Sequence, residues 1–262
     1  MTRTYTMANQ KGGVGKTTTA INLGAYLAKL GQNVLVVDLD PQANATSCLG
    51  VDKLKVTGGT YETLLGSAPS PFILLNERLK LSLLPSSPAL AGAEVELVEE
   101  LARESKLKKA LEPLDGRFDY ILIDCPPSLG LLTVNGLVAA INGVIVPVQC
   151  EYLALEGLGQ LTATIQRVRS ALFADLQVRG VVLTMFDPRT KLSADVVKEV
   201  KRHFPNQVFT SVIPRSVRLA EAPSYGLPIS EYAPSSMGAE AYDALARELL
   251  KGDGVLVPAA VA

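Results

Sequence analysis

Lys11-Gly12-Gly13-Val14-Gly15-Lys16-Thr17-Thr18 gathers three glycines, two lysines and two hydroxyls into eight residues, a set suited to holding a polyphosphate. Glycines let successive backbone N–H groups turn toward phosphate oxygens, Lys16 supplies a point charge, and Thr17 offers a hydroxyl to Mg²⁺. The strict pattern G-x-x-x-x-G-K-[ST] needs a glycine five residues before Gly15, where Gln10 stands. A second lysine, Lys11, heads the loop instead. It is surplus within one subunit, and a phosphate bound by a neighbouring subunit is a target it can reach.

Two acidic segments suit the same chemistry. In Val36-Val37-Asp38-Leu39-Asp40-Pro41-Gln42 an apolar run ends in carboxylates; Pro41 is expected to force an extended turn that presents Asp40 outward, where it can orient an attacking water. Tyr120-Ile121-Leu122-Ile123-Asp124 ends in a single acid, placed to hold Mg²⁺ directly or through water. Asn9 and Gln10, just before the loop, can fix its conformation.

These groups need rigid elements to aim them. Near-continuous apolar runs predict strands at 4–8, 33–38, 120–124, 143–148, 178–184 and 208–213, with a shorter one at Ile229. Helices are predicted at 17–30, ending at Gly31, at 94–112 with a break, and at 133–141, 157–172, 193–204 and 237–251. Alternation of this kind predicts an α/β fold, doubly wound, with a mostly parallel sheet, helices on both faces, and the phosphate loop at the carboxyl end of the first strand. No linker divides the chain, so one nucleotide-binding domain is expected over 1–251, with 252–262, rich in Gly, Pro and Ala, as a flexible tail. At 262 residues and 48% hydrophobic the chain can bury a large core. It shows no run of about 18 apolar residues and no apolar core near its start, which predicts a cytoplasmic protein. Three scattered cysteines and a single histidine give neither a disulfide framework nor a zinc pattern.

The loop and the two acidic segments resemble those of the ParA/MinD group of ATPases, whose phosphate loop is a deviant Walker A. Asp38 to Gln42 resembles the group's switch I, in which the residue matching Asp40 is needed for hydrolysis; Asp124-Cys125-Pro126-Pro127 resembles switch II with its Walker B acid. The resemblance spans roughly Tyr5 to Lys251. It includes Pro214-Arg215-Ser216-Val217-Arg218-Leu219-Ala220-Glu221-Ala222-Pro223-Ser224-Tyr225-Gly226, a segment similar to that of chromosomal, Soj-like ParA proteins. The fold implied is that of a P-loop NTPase. The function implied is ATP-dependent DNA partitioning. Mg²⁺ and ATP would be held by Lys11 to Thr18, Asp40 and Asp124, with Met185 and Pro214 flanking the adenine. An ATP-dependent homodimer would close face to face with Lys11 reaching the partner's phosphates, and a ParB-like protein would stimulate hydrolysis.

Charge bears on the DNA side of that expectation. Overall it is nearly balanced at -1, yet residues 167–218 hold ten basic side chains against four acidic ones. Lys198, Lys201 and Arg202 recur at i, i+3 and i+4, a stripe that is either a solvated face or a phosphate-binding one. The resemblance adds Arg189 and Arg218 as contacts to the backbone of double-stranded DNA without regard to sequence, and with them a nucleoid-associated location. The alternative is a MinD-like, membrane-associated positioning ATPase. That type uses a C-terminal amphipathic helix rich in cations, whereas Gly252-Asp253-Gly254 and a Val-Pro-Ala stretch without cations follow Lys251; no stable membrane association is expected.

Overall fold

Strands buried on both faces must be apolar at every position, and the apolar runs of this chain become neighbours in one sheet. The computed structural model describes residues 1–151 and 154–257. Strands β1 (Arg3–Met7), β2 (Val34–Asp38), β3 (Leu74–Asn76), β4 (Leu81–Leu84), β5 (Tyr120–Asp124), β6 (Gly143–Gln149) and β7 (Val178–Thr184) stand in the order β3-β4-β2-β5-β1-β6-β7. Every pairing is parallel except that of β3 with β4. In register, Asp124 lies beside Met7 on one side and Asp38 on the other. The end of β1 and both acidic strand ends therefore meet at one edge of the sheet.

Helices connect the parallel strands. α1 (Lys16–Lys29) follows β1, α2 (Asn44–Cys48) and α3 (Thr60–Leu64) follow β2, and α4 (Leu90–Glu96) and α5 (Lys106–Leu111) follow β4. α6 (Leu131–Ala139), α7 (Ala154–Ala171) and α8 (Lys191–His203) follow β5, β6 and β7, and α9 (Val217–Glu221), α10 (Ile229–Tyr232) and α11 (Met237–Gly252) complete the chain. Alternate side chains of each strand take opposite faces. Val34 and Val36 of β2, with Tyr5 and Leu122, pack on Leu23 and Leu27 of α1 and Leu245 and Leu249 of α11. Leu35 and Val37 pack the other way, with Leu90, Leu107 and Leu132. The doubly wound α/β fold is thus present.

Some expected elements take another form. The strand expected over 208–213 is reduced to isolated bridges, Val181 with Val208 and Phe186 with Pro214. Phe209 N and Ile213 N still donate to Val181 O (2.9 Å) and Leu183 O (2.8 Å) of β7, but between them Glu248 of α11 accepts the backbone N–H groups of Thr210 (2.7 Å) and Ser211 (2.9 Å) and interrupts the ladder. Ile229 starts α10 rather than a strand, its N–H donated to Asn22 Oδ1 at 2.7 Å. β3 and β4, unforeseen, join through a tight turn in which Lys80 takes a left-handed φ of 51°. Beyond Lys251 the chain is held where a loose tail was expected. Asp253 accepts from Tyr5 Oη (2.8 Å), Tyr120 Oη (3.0 Å) and Arg179 Nη2 (3.0 Å), and Arg3 Nη2 donates to its carbonyl (2.9 Å). Residues 258–262 of that expected tail lie outside the described residues.

Candidate nucleotide-binding site

The loop from Ala8 to Gly15 turns only because two of its glycines accept left-handed backbone. Gly13 has φ 74° and Gly15, the residue before α1, has φ 91°, a region in which a side chain costs about 1 kcal/mol or more. No side chain caps the amino end of α1 and no acid sits in its first turn. Its first N–H groups and the positive end of its dipole are left for an anion. The frame behind the loop is fixed by side chains. Asn9 donates to Pro147 O (2.7 Å) and accepts from Lys11 N (3.1 Å), while Thr184 Oγ1 donates to Val14 O (2.8 Å). Asn9 therefore shapes the loop. Thr184 does the same from the end of β7, and nothing in its sequence context announced that.

Lys16 is buried and curls over the loop, its Nζ donating to Lys11 O at 3.2 Å. Burial lowers its pKa, and the charges of Asp124 and Asp40 work against that shift. Among the described residues the Lys11 side chain makes no hydrogen bond or ion pair. Gly12 is exposed, and a Cβ there would meet only Pro127 Cβ, at 3.9 Å.

The three acids differ in what they are bonded to. Asp38, fully buried, accepts from Asp40 N (3.2 Å), Thr46 N (2.8 Å) and Thr46 Oγ1 (2.7 Å). Burial raises its pKa to about 6, with those donors opposing. Asp40 is not presented outward as expected. It is buried, because the residues after it fold back: Gln42 N donates to its Oδ1 (2.9 Å) and Ala43 N to its carbonyl (2.8 Å). Its other carboxylate oxygen makes no hydrogen bond to a described residue. Asp124 is fully buried and neither of its oxygens has a hydrogen-bond partner among the described residues. Its pKa is raised well above the usual carboxylate range by burial first and the Asp38 charge second, with Thr17 and Lys16 pulling the other way.

A buried, unpartnered carboxylate costs free energy unless something cationic completes it. Residues beside it fit a Mg²⁺ ion: a hard carboxylate, the Thr17 hydroxyl and space shared with a bound phosphate are the donor set that ion prefers. Among the described residues no group of three or more His, Cys, Asp or Glu is arranged to hold a metal; such an ion would rely on water and nucleotide oxygens for the remainder of its shell.

Next to the loop lies a cleft of about 460 Å³, lined by Gly15, Thr18, Met185, Pro214, Leu219 and Tyr242, among others. Its volume and largely apolar walls suit a nucleoside. Met185 and Pro214, expected to flank a base, are thus brought to one pocket that opens on the loop. Met185 holds a left-handed φ of 52°, and Phe186 N donates to Ile213 O (3.1 Å) while Arg215 N donates to Phe186 O (3.0 Å), which ties the two walls together. Leu219 and Tyr242 were not anticipated, since no periodicity marks a residue that reaches a pocket from a distant helix.

The expected DNA contacts lie near this cleft and along α8. Arg189 is exposed in the turn before α8 and forms a two-pronged pair with Asp187 (2.9 and 2.7 Å); Arg218 of α9 pairs with Glu221 (3.1 Å). Lys198, Lys201 and Arg202 are exposed on α8, toward its far end. Arg218 stands between Val217 and Leu219, which line the cleft, while the other four come from the turn before α8 and from α8 itself.

Known proteins resemble the chain along most of its length. A family model described as "AAA domain" matches residues 2–178. The chain is 53% identical over 252 residues to the chromosome partitioning protein ParA of Myxococcus xanthus, covering 96% of this chain and 89% of that one. It is 51% identical to the chromosome-partitioning ATPase Soj of Treponema pallidum, covering 97% and 99%. Among solved structures, cobyrinic acid a,c-diamide synthase from Mycobacterium smegmatis, with bound ATP analog and magnesium, superposes with TM-score 0.86 at 42% identity, covering 98% and 99%.

Proposed function

The chain belongs to the ParA/Soj family of chromosome-partitioning ATPases, and from that premise we propose that it binds Mg-ATP, closes into a homodimer that holds double-stranded DNA without sequence preference, and opens on hydrolysis stimulated by a ParB-like partner. The observation that carries the nucleotide part is the pair of unpartnered Asp124 oxygens, buried beside Thr17 and Lys16. A site built that way is completed by a metal-bound phosphate. When bound, Mg²⁺ supplies charge neutralisation for phosphoryl transfer. The chain's own groups do the rest. Lys16 and the α1 N–H groups hold phosphate oxygens, the cleft of Met185 and Pro214 holds the base, and the free oxygen of Asp40 orients the attacking water. Lys11 reaches across to the partner's phosphates and adds charge where it develops in the transition state.

DNA binding is assigned to the exposed arginines of the adjoining segments. Arg189 and Arg218 flank the segments whose backbones are joined at Phe186 and Arg215, so nucleotide in the cleft can set their positions, and closure doubles the cations facing the duplex. Lys198, Lys201 and Arg202 widen the basic surface. A membrane-positioning role draws no support from α11, whose Tyr242, Leu245, Leu249 and Leu250 are buried in the core; no helix among the described residues is long and apolar enough to cross a membrane. The likeness to a diamide synthase raises an amide-forming reading, but that relative is less similar than the partitioning proteins. The test is binding of the purified protein to random duplex DNA and to anionic liposomes, each with ATP, ADP or no nucleotide. ATP-dependent capture of duplex, weakening with salt and indifferent to base sequence, is the expected result; capture by liposomes alone would overturn it.

A further inference from the structure

Behind Asp40 the chain closes a ring of hydrogen bonds that no step described so far requires. Asp38 Oδ1 accepts from Asp40 N (3.2 Å), and Asp38 Oδ2 accepts the Thr46 hydroxyl (2.7 Å). That hydroxyl, its proton spent on Asp38, accepts from Ser86 N (2.9 Å), and Ser86 Oγ donates to Asp40 O (2.8 Å). The ring therefore returns to the residue where it began, gripping the Asp40 backbone at both its N–H and its C=O. Its members come from the end of β2, from α2 and from the segment just after β4, three stretches up to 48 residues apart in sequence. All are buried, Thr46 and Ser86 at 0% and 1% exposure. With the backbone clamped and Oδ1 held by Gln42 N (2.9 Å), the remaining carboxylate oxygen of Asp40 has one direction in which to point.

The geometry points to Thr46 and Ser86 as positioning residues for hydrolysis: they touch no substrate, and they fix where the Asp40 carboxylate sits when water is attacked. Efficient use of such a group depends on its placement, and a displacement of about 1 Å can cost about a hundredfold in rate. A polar network kept only for stability would act on folding and leave turnover per folded, nucleotide-bound molecule alone. This inference rests on the reading of Asp40 as the water-orienting carboxylate, so Asp40 is tested beside it.

The experiment measures steady-state ATP hydrolysis by the full chain over a range of Mg-ATP, with melting temperature and ATP-dependent sedimentation on the same samples. The variants are Thr46→Val, which keeps the shape and removes the hydroxyl, Thr46→Ser, which restores it, Ser86→Ala and Asp40→Ala. Thr46→Val and Ser86→Ala are expected to lower kcat about fivefold to thirtyfold while KM and the ATP-dependent dimer stay within about twofold of the parent. Thr46→Ser is expected to recover most of the rate. Ser86→Ala removes a single bond and keeps the test open if Thr46→Val fails to fold. Parental kcat in folded ring variants, with hydrolysis abolished in Asp40→Ala, overturns the inference and leaves the Asp40 reading standing. Parallel loss of ATP binding and turnover in Ser86→Ala also overturns it, because the ring is then merely structural. Parental hydrolysis by Asp40→Ala overturns the underlying reading itself.

Discussion

Asp124→Asn is expected to make the nucleotide-free protein more stable while weakening its response to Mg-nucleotide. The carboxylate is fully buried, its oxygens have no hydrogen-bond partner of good geometry, and burial with the Asp38 charge on the neighbouring strand outweighs the opposing pull of Thr17 and Lys16. Leaving a buried charge without its partner costs about 3–5 kcal/mol; uptake of a proton already relieves part of this. The amide removes the charge and with it the repulsion from Asp38, so roughly 2 kcal/mol of relief is the working figure. For a chain of this size that is a rise in melting temperature of about 4–8 °C. The sign of the pH dependence follows from the upward shift of Asp124. Its stability contribution is full below the ordinary carboxylate pKa of about 3.9 and is lost as pH rises toward the folded-state value. The gap between variant and parent should thus be small near pH 4 and widen toward pH 8. Asp38, raised to about 6, follows the same sign between about pH 4 and 6 in both proteins and largely cancels in the difference. Thermal unfolding followed by circular dichroism from pH 5 to 8, with and without Mg-ADP, provides the readings. A variant that melts below the parent at pH 8 without nucleotide, or that gains as much from Mg-ADP as the parent does, would refute the view that this carboxylate waits for a metal.

Met185→Gly relieves a left-handed non-glycine backbone, worth about 1 kcal/mol, and removes one wall of the cleft; calorimetry should find weaker ATP binding in a protein that melts no lower than the parent. Arg189→Glu or Arg218→Glu should weaken binding to every duplex alike and flatten its salt dependence while leaving ATP affinity intact, as a fluorescence titration over a salt series would register. Asp253→Ala deprives Arg3, Arg179 and two tyrosine hydroxyls of a buried acceptor and should cost about 3 kcal/mol in urea unfolding. Since those groups sit at the amino ends of the strands, ATP affinity should not change.

What the sequence disclosed and what it concealed divide along physical lines. Buried parallel strands announce themselves by unbroken apolar runs, so β1, β2, β5, β6 and β7 were legible, and so was the phosphate loop, whose function demands glycine and lysine at fixed offsets. Elements stabilised by distant partners were not. The stretch over 208–213 carries strand-like residues and bonds to β7 at Phe209 and Ile213, yet the N–H groups of Thr210 and Ser211 between them go to Glu248, about forty residues on. Asp253 sits in a stretch that reads as loose, and its buried partners lie on β1, β5 and β7. At the site, the acids could be named from sequence but their states could not: that Asp38 is saturated with donors depends on Thr46, which is on α2, not on any motif. Ser86 has no local signal at all, because a serine after a proline reads as a turn.

β1, the earliest strand of the chain, occupies an inner place in the sheet, between β5 and β6. During synthesis it can find neither neighbour until residues 120–124 and 143–149 have left the ribosome, and the strut that props its loop, Thr184, comes later still. The frame of residues 8–18 comes from segments more than a hundred residues further along the chain. A chain interrupted before β7 carries the complete phosphate-binding signature without the frame that lets it grip a nucleotide. The grip of the loop is thereby tied to contacts of long sequence separation, which are the slow ones to form, and not to the loop's own eleven residues.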